Sequence, residues 1–78
     1  MYSLPVFLDH LVQETCGYLQ DIRKDAIDFK LWFDEDEAIF KSQFSYGRVG
    51  EGSKIESVCA AIANAITAIE NDVLGHFD

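Results

Sequence analysis

Two short runs of alternating apolar and polar residues, separated by four consecutive acidic residues, occupy positions 27–46 of the chain. Alternation with a period of two is typical of a strand with one buried face, and a polar break between two such runs predicts a β-hairpin. A turn centred on Glu35 and Asp36 would place one set of apolar side chains on a common core face. This set consists of Ile27, Phe29, Leu31, Phe33, Phe40 and Phe44.

The opposite face of the hairpin is the predicted site of partner contact. The same turn pairs Trp32 with Ile39 and Lys30 with Lys41 on that face, beside a tip whose carboxylates could meet arginine or lysine side chains. The predicted contact residues are Trp32, Asp34, Glu35, Asp36, Glu37 and Ile39. Two structural alternatives stay open. The acidic tip could be only a solvated turn that keeps the hairpin edge from pairing, and a helix or a second copy could cover Trp32.

Helical spacing flanks the hairpin on both sides. After Ser3, a favourable N-cap, apolar or small residues recur every three or four positions, which predicts a helix over residues 4–24. Its predicted buried stripe consists of Leu8, Leu11, Val12, Thr15, Cys16, Leu19 and Ile22. Later in the chain, Ser53 and Glu56 match a capping box, in which each side chain satisfies a backbone amide, and a second helix is expected over residues 53–74.

A glycine-rich segment at residues 47–52 separates the hairpin from the second helix. It lacks the lysine of a phosphate-binding loop and the glycine spacing of a dinucleotide fold, so it is expected to be a flexible connector. The predicted architecture is α+β, in the order helix, strand, strand, helix (αββα). The expected bounds are one domain over 1–78, with a helix at 4–24, a hairpin at 26–46, a loop at 47–52 and a helix at 53–74.

The second helix carries no charged residue over positions 57–69, and alanines stand on both sides of an apolar seam. The seam consists of Ile55, Cys59, Ile62, Ile66, Ile69 and Val73. Small residues let another backbone approach closely, so burial on more than one side is expected. Either the hairpin and the first helix enclose this helix, or it forms a homodimer through Ala61, Ala65 and Ala68.

The acidic charge indicates the kind of partner. Fourteen acidic residues against six basic ones give a net charge of −8. This charge opposes direct contact with nucleic acid or an anionic membrane and favours a basic protein surface, although acidic residues also serve solubility alone. The leading hypothesis is a small acidic protein-binding module that occupies such a surface on a partner protein. In size and charge the chain resembles phage-encoded inhibitors of nucleic-acid-handling defence complexes, such as anti-CRISPR and DNA-mimic proteins.

Two other functions stay open at this point. The chain could be a self-associating regulatory or immunity protein whose charge serves solubility. It could also bind a small anionic ligand on the Trp32 face, between Lys30 and Lys41. The first alternative predicts a dimer in solution, whereas the second predicts a ligand that stacks on the indole.

Residues with catalytic or metal-binding potential are few. Cys16 and Cys59 fall on apolar helix stripes and are expected as buried, reduced thiols, because no CxxC or Cys/His spacing accompanies them. His10 and Glu14 lie four residues apart, but two ligands without a third are typical of a solvated pair. We therefore expect no enzymatic activity, cofactor or metal. The beginning of the chain lacks the features of a signal peptide, and no stretch reaches the roughly 18 apolar residues of a membrane span, so a cytoplasmic location is expected.

Overall fold

The computed structural model describes residues 3–74. Its elements are helix α1 (Val6–Arg23), strands β1 (Phe29–Asp34), β2 (Ile39–Phe44) and β3 (Gly50–Gly52), and helix α2 (Lys54–Leu74). The three strands form one antiparallel sheet in the order β1-β2-β3. The predicted α+β fold is confirmed, with one strand more than the predicted hairpin.

The hairpin turn is centred one residue later than predicted. Asp34 Oδ1 accepts a hydrogen bond from the backbone amide of Glu37 at 3.0 Å, and Ala38 adopts a φ of 57°, so residues 35–38 all lie in the turn. The pairing therefore shifts by two residues, and an even shift keeps every side chain on its predicted face. The observed pairs are Phe29 with Phe44, Lys30 with Gln43, Leu31 with Ser42, Trp32 with Lys41, Phe33 with Phe40 and Asp34 with Ile39. The predicted pairs of Trp32 with Ile39 and of Lys30 with Lys41 are wrong.

The third strand lies in the glycine-rich segment that was predicted to be a loop. Gly50 pairs with Ser42, at the edge of the sheet next to α2. A Cβ atom at position 50 would lie 2.3 Å from the backbone oxygen of Ser57 and 2.4 Å from the backbone nitrogen of Ala61. Only glycine fits there, because the two backbones are in direct contact. The segment is therefore a packing surface for α2 as well as a connector.

Both helices begin within two residues of their predicted positions. The predicted capping box of α2 is confirmed: Ser53 Oγ accepts a hydrogen bond from the Glu56 amide at 3.2 Å, and Glu56 Oε1 accepts one from the Ser53 amide at 3.1 Å. The hydrogen bond from the Ser53 amide, and then one with the Ser53 side chain, lower the pKa of the Glu56 carboxyl. By contrast, Pro5 and not Ser3 stands at the N-cap of α1, without a side-chain hydrogen bond, and the helix begins two residues later than predicted.

The core lies between one face of the sheet and the two helices. Of the predicted core face, Ile27 and Phe44 are buried, Phe29, Leu31 and Phe40 are half-buried, and Phe33 is 38% exposed near the hairpin tip. The buried apolar residues are Leu8, Val12, Leu19, Ile27, Phe44, Val58, Ala61, Ala65 and Ile69. Burial thus decreases from the base of the hairpin to its tip, where the helices no longer cover the sheet.

Within one copy of the chain, α2 is buried on one side only. Its buried residues are Ser57, Val58, Ala61, Ala65 and Ile69. In the predicted seam, Ile55, Cys59 and Val73 are exposed, so the predicted enclosure of α2 between the hairpin and α1 is wrong. The alanines serve a different contact: they let α2 approach the sheet backbone closely.

The length and composition of helix α2 bear on the expectation about membranes. It is 21 residues long, and its best window has a mean hydropathy of 1.2, so by length and composition it could cross a membrane. Of that window, 28% is buried inside the fold. Length and composition alone do not distinguish a spanning helix from the core helix of a globular domain.

Candidate protein-binding site

The sheet face opposite the helices carries three of the six predicted contact residues, Trp32, Asp34 and Ile39, and we call it the outer sheet face. The other three, Glu35, Asp36 and Glu37, lie in the adjoining hairpin turn. The outer sheet face consists of Lys30, Trp32 and Asp34 of β1, Ile39, Lys41 and Gln43 of β2, and Glu51 of β3. Both helices pack against the other face, where Ser42 and Phe44 are buried. In the part of the chain that the structure describes, Trp32 is therefore not covered by a helix, although its neighbours leave it half-buried.

The ammonium group of Lys41 organises the charges of this face. Its Nζ atom lies 3.2 Å from a carboxylate oxygen of Asp34 and 3.4 Å from one of Glu51, and it also contacts Glu37. The Lys41 side chain is only 17% exposed. Its bonds to Glu37 and Asp34 raise the pKa of Lys41 well above its ordinary value. The lysine is thus a permanent positive charge surrounded by carboxylates.

The four acidic residues of the tip fall into two pairs. Asp34 and Glu37 are ion-paired with Lys41, and the pKa of Asp34 is lowered, chiefly by the hydrogen bond from the Glu37 amide and then by Lys41. Glu35 and Asp36 are exposed, and their carboxylates have no hydrogen bond or ion pair with any residue in 3–74. Only this second pair is free to meet a cation of a partner.

The indole of Trp32 lies beside this tip. Lys30 Nζ is 5.0 Å from the ring centroid, in cation–π contact. Because Trp32 pairs with Lys41 and Ile39 pairs with Asp34, Trp32 and Ile39 are diagonal neighbours on the outer sheet face. Trp32 and Ile39 are therefore neighbours on this face, as predicted, but they lie diagonally and not directly opposite each other.

The same charges bear on the anionic-ligand alternative. Lys30 pairs with Gln43, so Lys30 and Lys41 do not form a directly opposed pair that could hold an anion. The carboxylates of Asp34 and Glu51 lie within 3.4 Å of the Lys41 ammonium and would repel an anion placed there. The geometry gives this alternative no support.

The residues predicted for a dimer contact other parts of the same chain. Ala61 and Ala65 are fully buried. A Cβ atom on Gly47 would lie 2.9 Å from the Ala65 Cα, and the Ala68 carbonyl accepts a hydrogen bond from the Tyr46 hydroxyl at 3.1 Å. Self-association through this helix stays a prediction, and its contacts would have to use other residues of α2.

The two thiols differ in their surroundings. Burial raises the pKa of the Cys16 thiol, and the nearby Asp28 raises it further, which disfavours the reactive thiolate. Cys16 is half-buried and Cys59 is exposed, so the prediction of a buried thiol is wrong for Cys59. Within residues 3–74, no group of three or more His, Cys, Asp or Glu side chains could hold a metal ion.

An apolar surface on the helices was not predicted. Leu11 and Ile22 of α1, assigned to the buried stripe by spacing alone, are exposed in the structure, as is Tyr18. The apolar arc of α1 is wider than its contact with the core. That width is visible in the sequence, but the spacing does not show which edge of the arc the core leaves uncovered.

Comparisons with known proteins gave no relative. No family model, curated protein or solved structure matches this chain. The case for a function therefore rests on the geometry and the charges of the residues themselves.

Proposed function

We propose that this protein is a small acidic protein-binding module that occupies a basic surface on a partner through its outer sheet face and hairpin tip. One observation carries the proposal. Lys41 forms ion pairs with Asp34 and Glu37, while Glu35 and Asp36 are exposed beside the half-buried Trp32 and have no hydrogen-bond or ion-pair partner among residues 3–74. The tip thus combines an ion-paired cluster at its base, two unpaired carboxylates and an aromatic side chain.

These features match what is known of protein interfaces. Exposed charges of one sign steer a partner of the opposite sign during encounter, and tryptophan is enriched among the residues that hold a complex together. The outer sheet face and tip carry five carboxylates, those of residues 34–37 and of Glu51, against the two ammonium groups of Lys30 and Lys41. The excess of negative charge on this surface favours a basic partner.

A narrower hypothesis names the class of partner. The net charge of −8 on a chain of 78 residues fits an inhibitor that competes for the nucleic-acid groove of a defence complex, as anti-CRISPR and DNA-mimic proteins do. Such a groove is basic, because it neutralises phosphates. A cytoplasmic location belongs to the same hypothesis, because such complexes act there.

Affinity capture tests the proposal. The tagged full chain is incubated with extract of the native cell, in parallel with Trp32→Ala and with the double variant Glu35→Gln/Asp36→Asn. A partner bound through the outer sheet face should be retained by the unmodified chain and lost from both variants. Asp25→Asn/Asp28→Asn removes the same charge between α1 and β1 and should retain it. If all four proteins capture the same partner equally, the tip is not the contact surface.

A further inference from the structure

A groove between α1 and α2 exposes apolar side chains on the helical layer, away from the outer sheet face. It is lined by Tyr18 and Ile22 of α1 and by Ile69, Glu70, Val73 and Leu74 of α2, with a volume of about 430 Å³. We call it the helix groove. Val73 is 46% exposed, and Tyr18, Ile22 and Leu74 are exposed too, so the groove is open to solvent.

The apolar surface continues along both helices. Leu11 lies seven residues before Tyr18 and Ile66 lies seven before Val73, and a spacing of seven returns to the same side of a helix. From Leu11 to Ile22 the strip covers three turns of α1, or roughly 16 Å. Leu11 is exposed and Ile66 is half-buried. This length suits another helix of a few turns.

The charges that border the helix groove are acidic. Glu14 lies one turn from Leu11 and from Tyr18, Asp21 precedes Ile22, and Glu70 lines the groove itself. All three are placed where a cation on a docked ligand could reach them.

The C-terminal parts of the two helices lie side by side at this groove. The Arg23 guanidinium joins them through a hydrogen bond of 2.9 Å to Asp72, and it also lies 4.3 Å from the centroid of the Tyr46 ring. Arg23 is therefore occupied. The last turn of α2, as described through Leu74, has no basic residue, although a helix C-terminus carries partial negative charge and favours cations.

We propose that the helix groove docks a basic amphipathic helix of a partner protein. Such a helix would place its apolar side against Tyr18, Ile22 and Val73 and its lysine or arginine side chains near the bordering carboxylates. A second copy of this chain fits less well, because its own Glu14, Asp21 and Glu70 would meet the same acids. An anionic lipid surface is disfavoured for the same reason. This surface is separate from the hairpin tip, and the proposal does not depend on the function argued above.

A defined probe tests the proposal. A fluorescently labelled 18-residue peptide of leucine and lysine in helical amphipathic order is titrated with the full chain and followed by anisotropy. It should bind, and more weakly as salt increases, since salt screens the bordering charges. Val73→Ser and Tyr18→Ser should each weaken binding by about fivefold or more. Val6→Ser is the matched control, because Val6 is 73% exposed on another side of α1, and it should bind as the unmodified chain does.

A second set of measurements separates shape from charge. Glu14→Gln/Glu70→Gln should weaken peptide binding, and Glu35→Gln/Asp36→Asn should leave it unchanged. A peptide of the same composition in scrambled order, with no apolar side, should bind at least about tenfold more weakly. Equal binding of the scrambled peptide, or no effect of Val73→Ser and Tyr18→Ser, would overturn the proposal. Loss of binding in the tip variant would place the peptide on the hairpin instead, and a dimer abolished by Val73→Ser would show a second copy in the groove.

Discussion

The hydroxyl oxygens of Ser42 on β2 and Ser57 on α2 lie 2.9 Å apart, and neither residue is exposed to solvent. Ser57 donates its own proton to the Lys54 carbonyl oxygen at 2.8 Å. Ser42 is therefore the donor and Ser57 the acceptor in the bond between them. This hydrogen bond joins α2 to the sheet. Its two hydroxyls are not equivalent, because Ser42 donates and Ser57 accepts.

The direction of this bond predicts unequal costs for the two alanine variants. Ser57→Ala leaves the Ser42 hydroxyl buried without an acceptor, which should lower the free energy of unfolding by about 1–3 kcal/mol. Ser42→Ala leaves Ser57 bonded to Lys54 and should cost only about 1 kcal/mol. Urea unfolding followed by circular dichroism measures both. In the double variant no hydroxyl is orphaned, so its cost should be less than the sum of the two. A larger loss in Ser42→Ala than in Ser57→Ala would contradict the assigned direction.

Replacing two glycines with alanine should change the stability of the protein in opposite directions. Gly50→Ala places a Cβ against backbone atoms of Ser57 and Ala61, which cannot move without displacing α2, so we expect a loss of more than about 3 kcal/mol. Gly17 is helical, and a Cβ there meets nothing within 4 Å, so Gly17→Ala should stabilise the protein by about 0.5–1 kcal/mol. Thermal unfolding measures both changes. A folded Gly50→Ala variant with an unchanged melting temperature would show that α2 does not lie on the β3 backbone.

These contacts also explain how far the sequence could predict the fold. Period-two alternation and the capping box at Ser53 are local signals, and they predicted the hairpin and the start of α2. Strand β3 was missed because its three residues, Gly50–Gly52, include two glycines, which have low strand propensity. Its place in the sheet depends on its contacts with β2 and α2, and no pattern within the three residues of β3 indicates those contacts. The alanines of α2 likewise predict a close approach, but not whether the partner is a helix or a sheet.

The sequence predicted which side chains share the outer sheet face, but it did not predict how these side chains pair. Trp32 and Ile39 keep their predicted face because side chains alternate along a strand, so a shift of two residues in the pairing leaves every side chain on the same face. Two of the tip acids are ion-paired and two are not, and this difference depends on the Asp34 side chain. It accepts a hydrogen bond from the Glu37 amide and thereby sets the length of the turn. No periodicity encodes that bond. The helix groove was missed because a wide apolar arc does not indicate which of its edges is covered.

The hydrogen bonds of Asp34 predict a dependence of stability on pH. The pKa of Asp34 is lowered in the folded protein, so its ionised form contributes stability above the unfolded value of about 3.8, and the contribution is lost as the pH falls through the folded-state pKa. Asp34→Asn can still accept the Glu37 amide but loses the ion pair with Lys41. The stability difference between the unmodified chain and this variant should therefore be present at neutral pH and vanish in strong acid.

Urea midpoints measured from pH 7 to pH 2 test this expectation. Asp36→Asn is the control, because its carboxylate has no hydrogen bond or ion pair with the described residues, and it should not show the same loss in acid. A stability difference for Asp34→Asn that stays constant across the range would mean that the Asp34 charge does not stabilise the turn.

The two thiols should react at different rates. Cys59 is exposed, whereas Cys16 is half-buried and its pKa is raised by burial and then by Asp28. Iodoacetamide should therefore modify Cys59 first, as peptide mass spectrometry would measure. Cys59→Ser should change the free energy of unfolding by less than about 0.5 kcal/mol, and Cys16→Ala should cost more, because Cys16 packs against the core. Faster modification of Cys16 in the folded protein would contradict the burial that the structure assigns to it.

The last prediction separates the roles of Trp32 and of the two free tip carboxylates in binding a basic partner. Charges at the rim of an interface act on encounter, whereas a buried aromatic side chain acts on dissociation. Glu35→Gln/Asp36→Asn should slow association and flatten its dependence on salt. Trp32→Ala should mainly speed dissociation, at a cost of about 2 kcal/mol or more, or roughly thirtyfold in affinity. Surface plasmon resonance with the captured partner measures both rates.

The control for these rates is Asp25→Asn/Asp28→Asn, which removes the same charge away from the tip. It should lower the association rate less than the tip variant, because steering depends on where the charge lies as well as on its total. If the two double variants slow association equally, only the net charge matters and the tip is not the contact. If neither Trp32→Ala nor the tip variant changes either rate, the acids of α1, Asp9, Glu14 and Asp21, are the next surface to test, because the last two also border the helix groove.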